Sequence, residues 1–358
     1  MYGVIMAGGR GVRFWPMSRG KRPKHLLDIL GAKTLIQETV HRILPIIPPE
    51  RILIVTAAAH AEELMRQLPE IPPANVLVEP VGRNTAPCIG LAALALMKKD
   101  PDAVMALLPA DHRIDHDDLL RRMLSAAEAV AADGSTLVTI GIPPTFPSTG
   151  YGYLEQGDPK TSPAAMAVYH VRSIREKPDY EQARAFLSTG RFLWNSGMFI
   201  WKASTILAAM ARWLPDIHGG LMDIDRAMGT PEATGVTERV YRGMRAISID
   251  YGVMEKAENV VVIPGDLGWS DVGSWDTIWE LASKDGQGNA ARDPEWLVAV
   301  DAQDNLLQVQ GKLVALVGVR DLLVVETEDA LLICRRGISQ DIRKIVDILE
   351  HKKMNGYL

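Results

Sequence analysis

Short apolar runs alternate with helix-patterned segments over the first 140 residues, and that alternation leaves few folds open. Residues 3–7, 51–56 (RILIVT), 75–79 (NVLVE), 103–108 (AVMALL) and 136–140 read as buried strands. Between them, residues 34–47, 58–67, 86–99 and 117–132 carry apolar positions at helical spacing. Strands separated by helices predict an α/β fold with a doubly wound, mixed but mainly parallel sheet. Such sheets bind ligands at the carboxyl ends of their strands. Here the first, third and fourth strands are each followed by an unusual segment: Gly-Gly-Arg-Gly, Pro-Val-Gly-Arg-Asn-Thr and Pro-Ala-Asp-His.

The middle of the chain, 143–280, is less regular. Connectors rich in proline and glycine lie at 143–149 and 158–163, around a strand-rich stretch with aromatics. Helical patterns follow at 180–188 and 203–213, and the whole region reads as an extension of the same sheet. From residue 295 the character changes. Short β-branched strands at 297–300, 306–309, 313–319, 322–326 and 330–334 recur every 8–10 residues with Asp, Gly and Asn turns. They predict a small all-β domain or short β-solenoid, closed by an amphipathic helix over 338–351. The expected division is a catalytic domain, 1–285, and a small β-rich domain with a terminal helix, 295–358.

Charge and cysteine usage remove several function classes. Lys and Arg number 39 against 44 Asp and Glu, a net charge of −5. Such a chain lacks the basic footprint of a nucleic-acid binder. It can still take an anionic small molecule if its cations are gathered locally. Two cysteines, Cys88 and Cys334, are too few for a disulfide framework or a Cys-based zinc site. Residues 2–7 lack the basic start of a secretory signal, and apolar runs such as 91–97 are far short of a membrane span. A cytoplasmic protein without membrane or nucleic-acid partners is expected.

Several segments carry chemistry. Gly8, Gly9 and Gly11 directly follow the first strand, where bare backbone N–H groups approach phosphates. Neither a dinucleotide fingerprint nor a Walker loop is present. Arg13, Arg19, Lys21, Arg22 and Lys24 follow within twelve residues. This composition suits a triphosphate, with Arg13 and Lys24 neutralising charge on a leaving pyrophosphate; the alternative is a solvated basic loop. Asp111 closes a buried strand and suits a Mg²⁺ ligand, or caps the next helix. Asp271 offers a second carboxylate, or with Ser274 caps the helix near Trp275. His112 and His116 have no matching ligand set for zinc. Glu176 and Lys177 can hold a sugar hydroxyl and a phosphate, or form a surface charge run before Pro178. Asn195 lies in an apolar strand and must find partners, in a sugar or in a bulge satisfied by backbone.

Taken in order, these segments resemble the mannose-1-phosphate guanylyltransferases. The matching stretches are Gly8-Gly9-Arg10-Gly11-Val12-Arg13-Phe14-Trp15-Pro16, Pro23-Lys24, Arg83-Asn84-Thr85-Ala86-Pro87, Leu108-Pro109-Ala110-Asp111-His112, Gly150-Tyr151-Gly152-Tyr153, Arg175-Glu176-Lys177-Pro178, Trp194-Asn195-Ser196-Gly197-Met198-Phe199, Asp250-Tyr251-Gly252-Val253-Met254-Glu255 and Trp269-Ser270-Asp271-Val272-Gly273-Ser274-Trp275. The resemblance spans residues 1–350 and implies a Rossmann-like nucleotide-diphospho-sugar transferase fold with a short left-handed β-helix-like tail. It implies that GTP and mannose 1-phosphate give GDP-mannose and pyrophosphate with one or two Mg²⁺ ions, in a homodimer. Ala7, Gly8, Gly9 and Gly11 would then cradle the nucleotide, and Gly82, Arg83, Asn84 and Thr85 would face guanine. Arg13 and Lys24 would stabilise the transferring phosphate, with Asp111 and Asp271 holding the metal. Gly152, Glu176 and Asn195 would bind mannose, and Lys177 its phosphate. Val12 and His25 depart from the usual small polar residue and Gln. The length leaves no room for the isomerase domain fused to some relatives, so a single activity is expected. Two other readings remain: transfer to another sugar 1-phosphate, such as glucose or a heptose, and a non-catalytic GDP-mannose-sensing subunit.

Overall fold

The computed structural model describes residues 1–163 and 165–358. The chain packs as two compact units. The first comprises Met1–Gly8 and Thr39–Trp269. The second gathers Gly9–Glu38 with Ser270–Leu358, so a segment from the amino-terminal end belongs with the tail. This partition differs from the linear cut expected at 285–295, because the partners of Phe14 and Trp15 lie some 260 residues away: the Phe14 and Trp275 rings meet edge-on at 5.1 Å, and Trp275 Nε1 donates to the Trp15 carbonyl at 3.2 Å.

The first unit is built on a nine-stranded sheet. Its strands are β1 (Tyr2–Ala7), β2 (Ile52–Ala57), β3 (Val76–Glu79), β4 (Val104–Pro109), β5 (Leu137–Ile142), β6 (Gly152–Pro159), β7 (Tyr169–Glu176), β8 (Phe192–Lys202) and β9 (Val260–Pro264). They run in the order β3-β2-β1-β4-β8-β5-β9-β7-β6. The β3-β2-β1-β4 half is parallel, whereas β8, β7 and β6 pair antiparallel. From β1 the chain winds out through β2 and β3, then returns as β4 on the other side of β1. That reversal makes the carboxyl ends of β1 and β4 the crevice where such sheets take ligands.

Eight helices accompany these strands: α1 (Leu35–Ile43), α2 (Ala58–Gln67), α3 (Thr85–Lys99), α4 (Asp117–Ala131), α5 (Tyr180–Thr189), α6 (Ala203–Trp213), α7 (Pro215–Ala227) and α8 (Ala233–Gly243). Only α1 runs across the boundary between the units. Apolar α3, buried on most of its surface, packs with α6 and α7 around Leu94, Ile206, Ile217 and Leu221. Its faces are too uniformly apolar for a surface helix, as its sandwiched position requires. Helices α7 and α8 are additions to the expected pattern.

In the second unit, β10 (Ala290–Ala291), β11 (Leu297–Val300), β12 (Leu306–Gln308), β13 (Val314–Val317), β14 (Leu322–Glu326) and β15 (Leu331–Arg335) follow α9 (Trp275–Leu281), and α10 (Ile342–His351) closes the chain. Parallel pairing stacks Ala290, Leu306 and Leu323, and separately Leu297 and Val314. Two short strands per coil give the β-helix repeat, which explains the strand spacing read from sequence. Asparagines ladder inside it: Asn305 Nδ2 donates to Asn289 Oδ1 at 2.8 Å, and Leu322 N to Asn305 Oδ1 at 2.9 Å. Antiparallel β15 ends the stack. Among the described residues no helix is long and apolar enough to cross a membrane.

Candidate active site

In the first unit the strand ends bring one group of expected residues to the switch point. Ala7 ends β1, its carbonyl held by Thr56 Oγ1 at 3.0 Å, and Gly8 follows. Ala110 N donates to the Met6 carbonyl at 3.1 Å, which sets Asp111 at the end of the adjacent strand. Asp111 does not cap α4: that helix begins at Asp117, with His116 in the cap position. The carboxylate is thereby released from the capping alternative.

Glu79, not foreseen from sequence, ends β3 beside this loop. Its side chain is 4% exposed, and Oε2 would lie 3.7 Å from a methyl on Gly8. Burial pushes its pKa up to about 7, against a hydrogen bond from Tyr241. Its Oε1 has no hydrogen-bond partner among the described residues. A buried acceptor of this kind is costly unless something supplies a donor.

The 82–85 loop is tied down from behind. Arg83 Nε donates to the Tyr241 carbonyl at 2.8 Å, and its guanidinium also reaches the Arg242 carbonyl. The Arg83 side chain thus anchors the loop to the end of α8. Asn84 takes φ +67 and accepts from Thr85 N at 2.8 Å as it opens α3. Thr85 Oγ1 accepts from Ile249 N at 2.8 Å, and Ala86 N donates to the Ile247 carbonyl at 3.1 Å.

Gly152, Glu176 and Asn195 come together as expected. A methyl on Gly152 would lie 2.3 Å from Glu176 Oε2 and 3.2 Å from Asn195 Cβ, so only glycine allows this approach. Lys177, at φ +49, holds Glu176 Oε1 at 2.9 Å. Asn195 sits on a bulge of β8 where the register with β5 shifts and Gly197 takes φ +70. Its Nδ2 donates to Asp250 Oδ1 at 2.8 Å. The bulge alternative for Asn195 is therefore part of the answer, since Gly197 N donates to its Oδ1 at 3.3 Å. Aromatic rings adjoin: Tyr151 packs on Trp194 and Trp269 at 5.0 Å each, and Trp269 Nε1 donates to His112 Nδ1 at 3.1 Å.

The second unit assembles the remaining group. Gly11, at φ +64, opens a short turn, Val12–Phe14. A methyl there would lie 2.4 Å from Lys24 Cβ. Lys24 is buried, and its Nζ donates to the Asp271 carbonyl at 2.6 Å. Arg13 Nη1 donates to the Gly273 carbonyl at 3.3 Å. Gly11, Arg13, Lys24 and Asp271 thus form one cluster. Asp271 is not a helix cap either; Ser274 occupies that position before α9. The other cations of the expected basic run turn away. Arg19 pairs with Asp329 at 2.8 Å and Arg22 with Asp28 at 3.1 Å, while Lys21 is exposed. The run of five cations therefore divides into two that bond the 271–273 backbone, Arg13 and Lys24, two ion-paired arginines and one exposed lysine.

Among the described residues no three His, Cys, Asp or Glu side chains gather into a metal cluster. Mg²⁺ does not require one, since it commonly takes one or two carboxylates and completes its shell with phosphate oxygens and water. Asp111, in the first unit, and Asp271, in the second, each carry a carboxylate that does not serve as a helix cap.

A parallel half-sheet with a glycine loop at its reversal point places the chain among the doubly wound folds that take nucleotides at that point. The family model described as nucleotidyl transferase matches residues 2–288, and one described as MannoseP isomerase/GMP-like beta-helix domain matches residues 296–349. A mannose-1-phosphate guanylyltransferase of Escherichia coli is 39% identical over 357 residues, covering 99% of this chain and 75% of that protein. One from Klebsiella pneumoniae is 38% identical over the same length and coverage. A crystal structure described as mannose-1-phosphate geranyltransferase from Thermus thermophilus superposes with a TM-score of 0.87 at 34% identity, covering 98% of this chain and 99% of that one. The chain belongs to the mannose-1-phosphate guanylyltransferase family of nucleotidyl transferases.

Proposed function

We propose that the protein transfers GMP from GTP to mannose 1-phosphate, forming GDP-mannose and releasing pyrophosphate. The observation that carries this reading is the 39% identity with a mannose-1-phosphate guanylyltransferase over 99% of the chain. In the reaction an oxygen of the sugar phosphate attacks the α-phosphorus in line. A new P–O bond forms while the bond to the bridging oxygen breaks, and pyrophosphate leaves with that electron pair. No protein nucleophile is needed, so catalysis is positioning plus charge neutralisation.

The residues divide that work. Backbone N–H groups of Gly8, Gly9 and Gly11 receive the nucleotide phosphates. Arg13 and Lys24 meet the charge that develops on the α-phosphate and the leaving group. The 82–85 loop faces the base, and Glu79 Oε2, on the side toward Gly8, supplies an acceptor for a guanine N–H donor. Asp111 and Asp271 would hold Mg²⁺, one ion or two, which would supply charge neutralisation at the phosphates. Glu176, Asn195 and the Gly152 backbone take mannose hydroxyls. Lys177 leaves Glu176 to reach the sugar phosphate. We place the reaction in the cytoplasm, where GTP is available, and in a homodimer; light scattering at micromolar concentration tests the dimer, and a monomer refutes it.

The deciding experiment is a panel of GTP, UTP and dTTP against mannose, glucose and heptose 1-phosphates, read as pyrophosphate release. GTP with mannose 1-phosphate should give the highest kcat/KM. Another best pair would move the specificity, and nucleotide-sugar binding without turnover would indicate a sensing subunit.

A further inference from the structure

Asp250 is the residue beside the sugar cluster that the assignments above leave without a role. It opens a single π-helical turn, Asp250–Met254, in which Glu255 N donates to the Asp250 carbonyl at 2.9 Å. Such turns are rare, and they recur at functional sites. The turn is placed by the base-facing loop: the residues just before it, Ile247 and Ile249, donate their N–H groups to the Arg83 carbonyl at 3.3 Å and to Thr85 Oγ1 at 2.8 Å. The side chain of Asp250 is only partly covered, and its Oδ1 accepts from Asn195 Nδ2 at 2.8 Å.

That bond decides what Asn195 can offer a ligand. An asparagine amide has one acceptor end and one donor end, and a ligand sees whichever is left. Here both ends are assigned by their neighbours. Oδ1 accepts from Gly197 N at 3.3 Å and from Thr139 Oγ1 at 3.3 Å. Nδ2 gives one proton to Asp250, and among the described residues no other group accepts from it. The backbone contact alone does not hold the amide strongly, because both Oδ1 contacts are long and the Thr139 hydroxyl is shared with the Met198 carbonyl at 3.1 Å. The short, charge-assisted bond to Asp250 is the strong restraint.

We propose that Asp250 is a positioning residue of the sugar subsite: it fixes the Asn195 amide with its donor end outward, so that the second Nδ2 proton is presented to a hydroxyl oxygen of the sugar phosphate. This rests on the reading of Asn195 as a sugar ligand. Glu176 provides the complementary acceptor across Gly152, so the pair recognises one hydroxyl as donor and another as acceptor. The carboxyl is also held at a cost. Burial first, then the nearby Glu176 charge, push its pKa up to about 6 despite the Asn195 bond and Lys177. A fold that needed only a turn there could use an uncharged residue.

The test is initial-rate kinetics of pyrophosphate release, with mannose 1-phosphate and GTP varied in turn, for Asp250→Ala, Asp250→Asn, Asn195→Ala and the Asn195→Ala/Asp250→Ala double variant. Asn195→Ala should raise KM for mannose 1-phosphate about tenfold, the worth of one hydrogen bond. Asp250→Ala should raise the same KM roughly three- to tenfold and leave KM for GTP in place. Asp250→Asn keeps an acceptor for Nδ2 and should restore most of the affinity. The double variant should be no worse than Asn195→Ala alone, because Asp250 acts only through that amide. Additive losses in the double variant, or an Asp250→Asn variant as poor as Asp250→Ala, would overturn the proposal. If Asn195→Ala leaves the sugar KM unchanged, the failure belongs to the sugar-site reading itself. Should Asp250→Ala not fold, Asp250→Ser keeps a polar group on the turn but is too short to reach Asn195, and the same pattern is expected of it.

Discussion

Replacing Gly11 with alanine tests whether the placement of Lys24 is what the glycine loop protects. The new methyl would lie 2.4 Å from Lys24 Cβ, 2.9 Å from its backbone N and 3.2 Å from its Cα. None of these atoms is the end of a flexible side chain, so no rotamer change relieves the clash. Ordinary contact needs about 3.4 Å, and the Lys24 backbone must therefore retreat by roughly 1 Å. Nζ, anchored on the Asp271 carbonyl at 2.6 Å, cannot follow without giving up that bond. Displacements of about 1 Å from productive geometry cost on the order of 100-fold in rate. The left-handed φ of +64° adds a conformational cost of about 1 kcal/mol. Pyrophosphate release should thus show kcat/KM for GTP down about 100-fold, with an apparent Tm only a few degrees lower. A variant that loses those few degrees but keeps at least a third of the wild-type kcat/KM for GTP would refute the reasoning, since the clash would then have been absorbed without disturbing catalysis.

Four further outcomes are expected. Gly152→Ala should raise KM for mannose 1-phosphate while leaving that for GTP unchanged, because its methyl displaces the Glu176 carboxylate, a flexible group 2.3 Å away; equal effects on both substrates would point to general damage. Glu79→Gln should flatten the pH dependence of stability, measured by denaturant titration. The folded protein keeps the Glu79 proton between pH 4.5 and about 7 while the unfolded chain has lost it, so native stability falls as pH rises through that window, by about 3 kcal/mol for this one group. Asp250 contributes a slope of the same sign between pH 3.8 and about 6. Lys24→Met should lower kcat more than it raises KM, since its charge matters most as charge develops; a pure KM effect would make it a ground-state ligand. Asp111→Asn and Asp271→Asn should each cut turnover by orders of magnitude, and near-wild-type activity in either would remove that carboxylate from the metal site.

The local half of the fold was legible because apolar periodicity is a local signal. Helices α2 and α6 begin and end where their patterns do, and the strands of the parallel half differ from expectation by one or two residues. Helices α7 and α8 were missed for a physical reason: Gly219, Gly220 and Gly235 lower helix propensity, and tertiary packing of Ile217, Leu221 and Tyr241 overrides it. The membership of the second unit was not legible, for the opposite reason. Its core joins Phe14, Trp15 and Leu35 to Trp275, Leu323 and Val346, and no window of sequence contains such a pairing. The cation run between residues 13 and 24 shows the same limit. Neighbours in sequence part company because Arg19 and Arg22 lie on a tight turn and bond each other's backbone at 3.0 Å, which carries their side chains to separate acidic partners.

Site residues divide along a similar line. Glycines that admit a close approach announced themselves, since Gly11 and Gly152 stand inside recognisable motifs. The carboxyls with raised pKa did not. Glu79 ends a strand whose preceding residues are only partly covered, and nothing local says that a glutamate there is 4% exposed. Asp250 stands inside a recognisable stretch, but nothing local says that its carboxylate bonds Asn195, 55 residues away. Both raised carboxyls lie near the same stretch of chain: Glu79 is influenced by Tyr241, whose hydroxyl donates to the Pro87 carbonyl and whose own carbonyl anchors Arg83, and Asp250 follows the segment that bonds Arg83 and Thr85. The 82–85 loop is therefore not a free surface turn. It is held between the groups proposed to read the base and the groups proposed to orient the sugar ligand, which is why its arginine is committed to backbone carbonyls instead of to a phosphate.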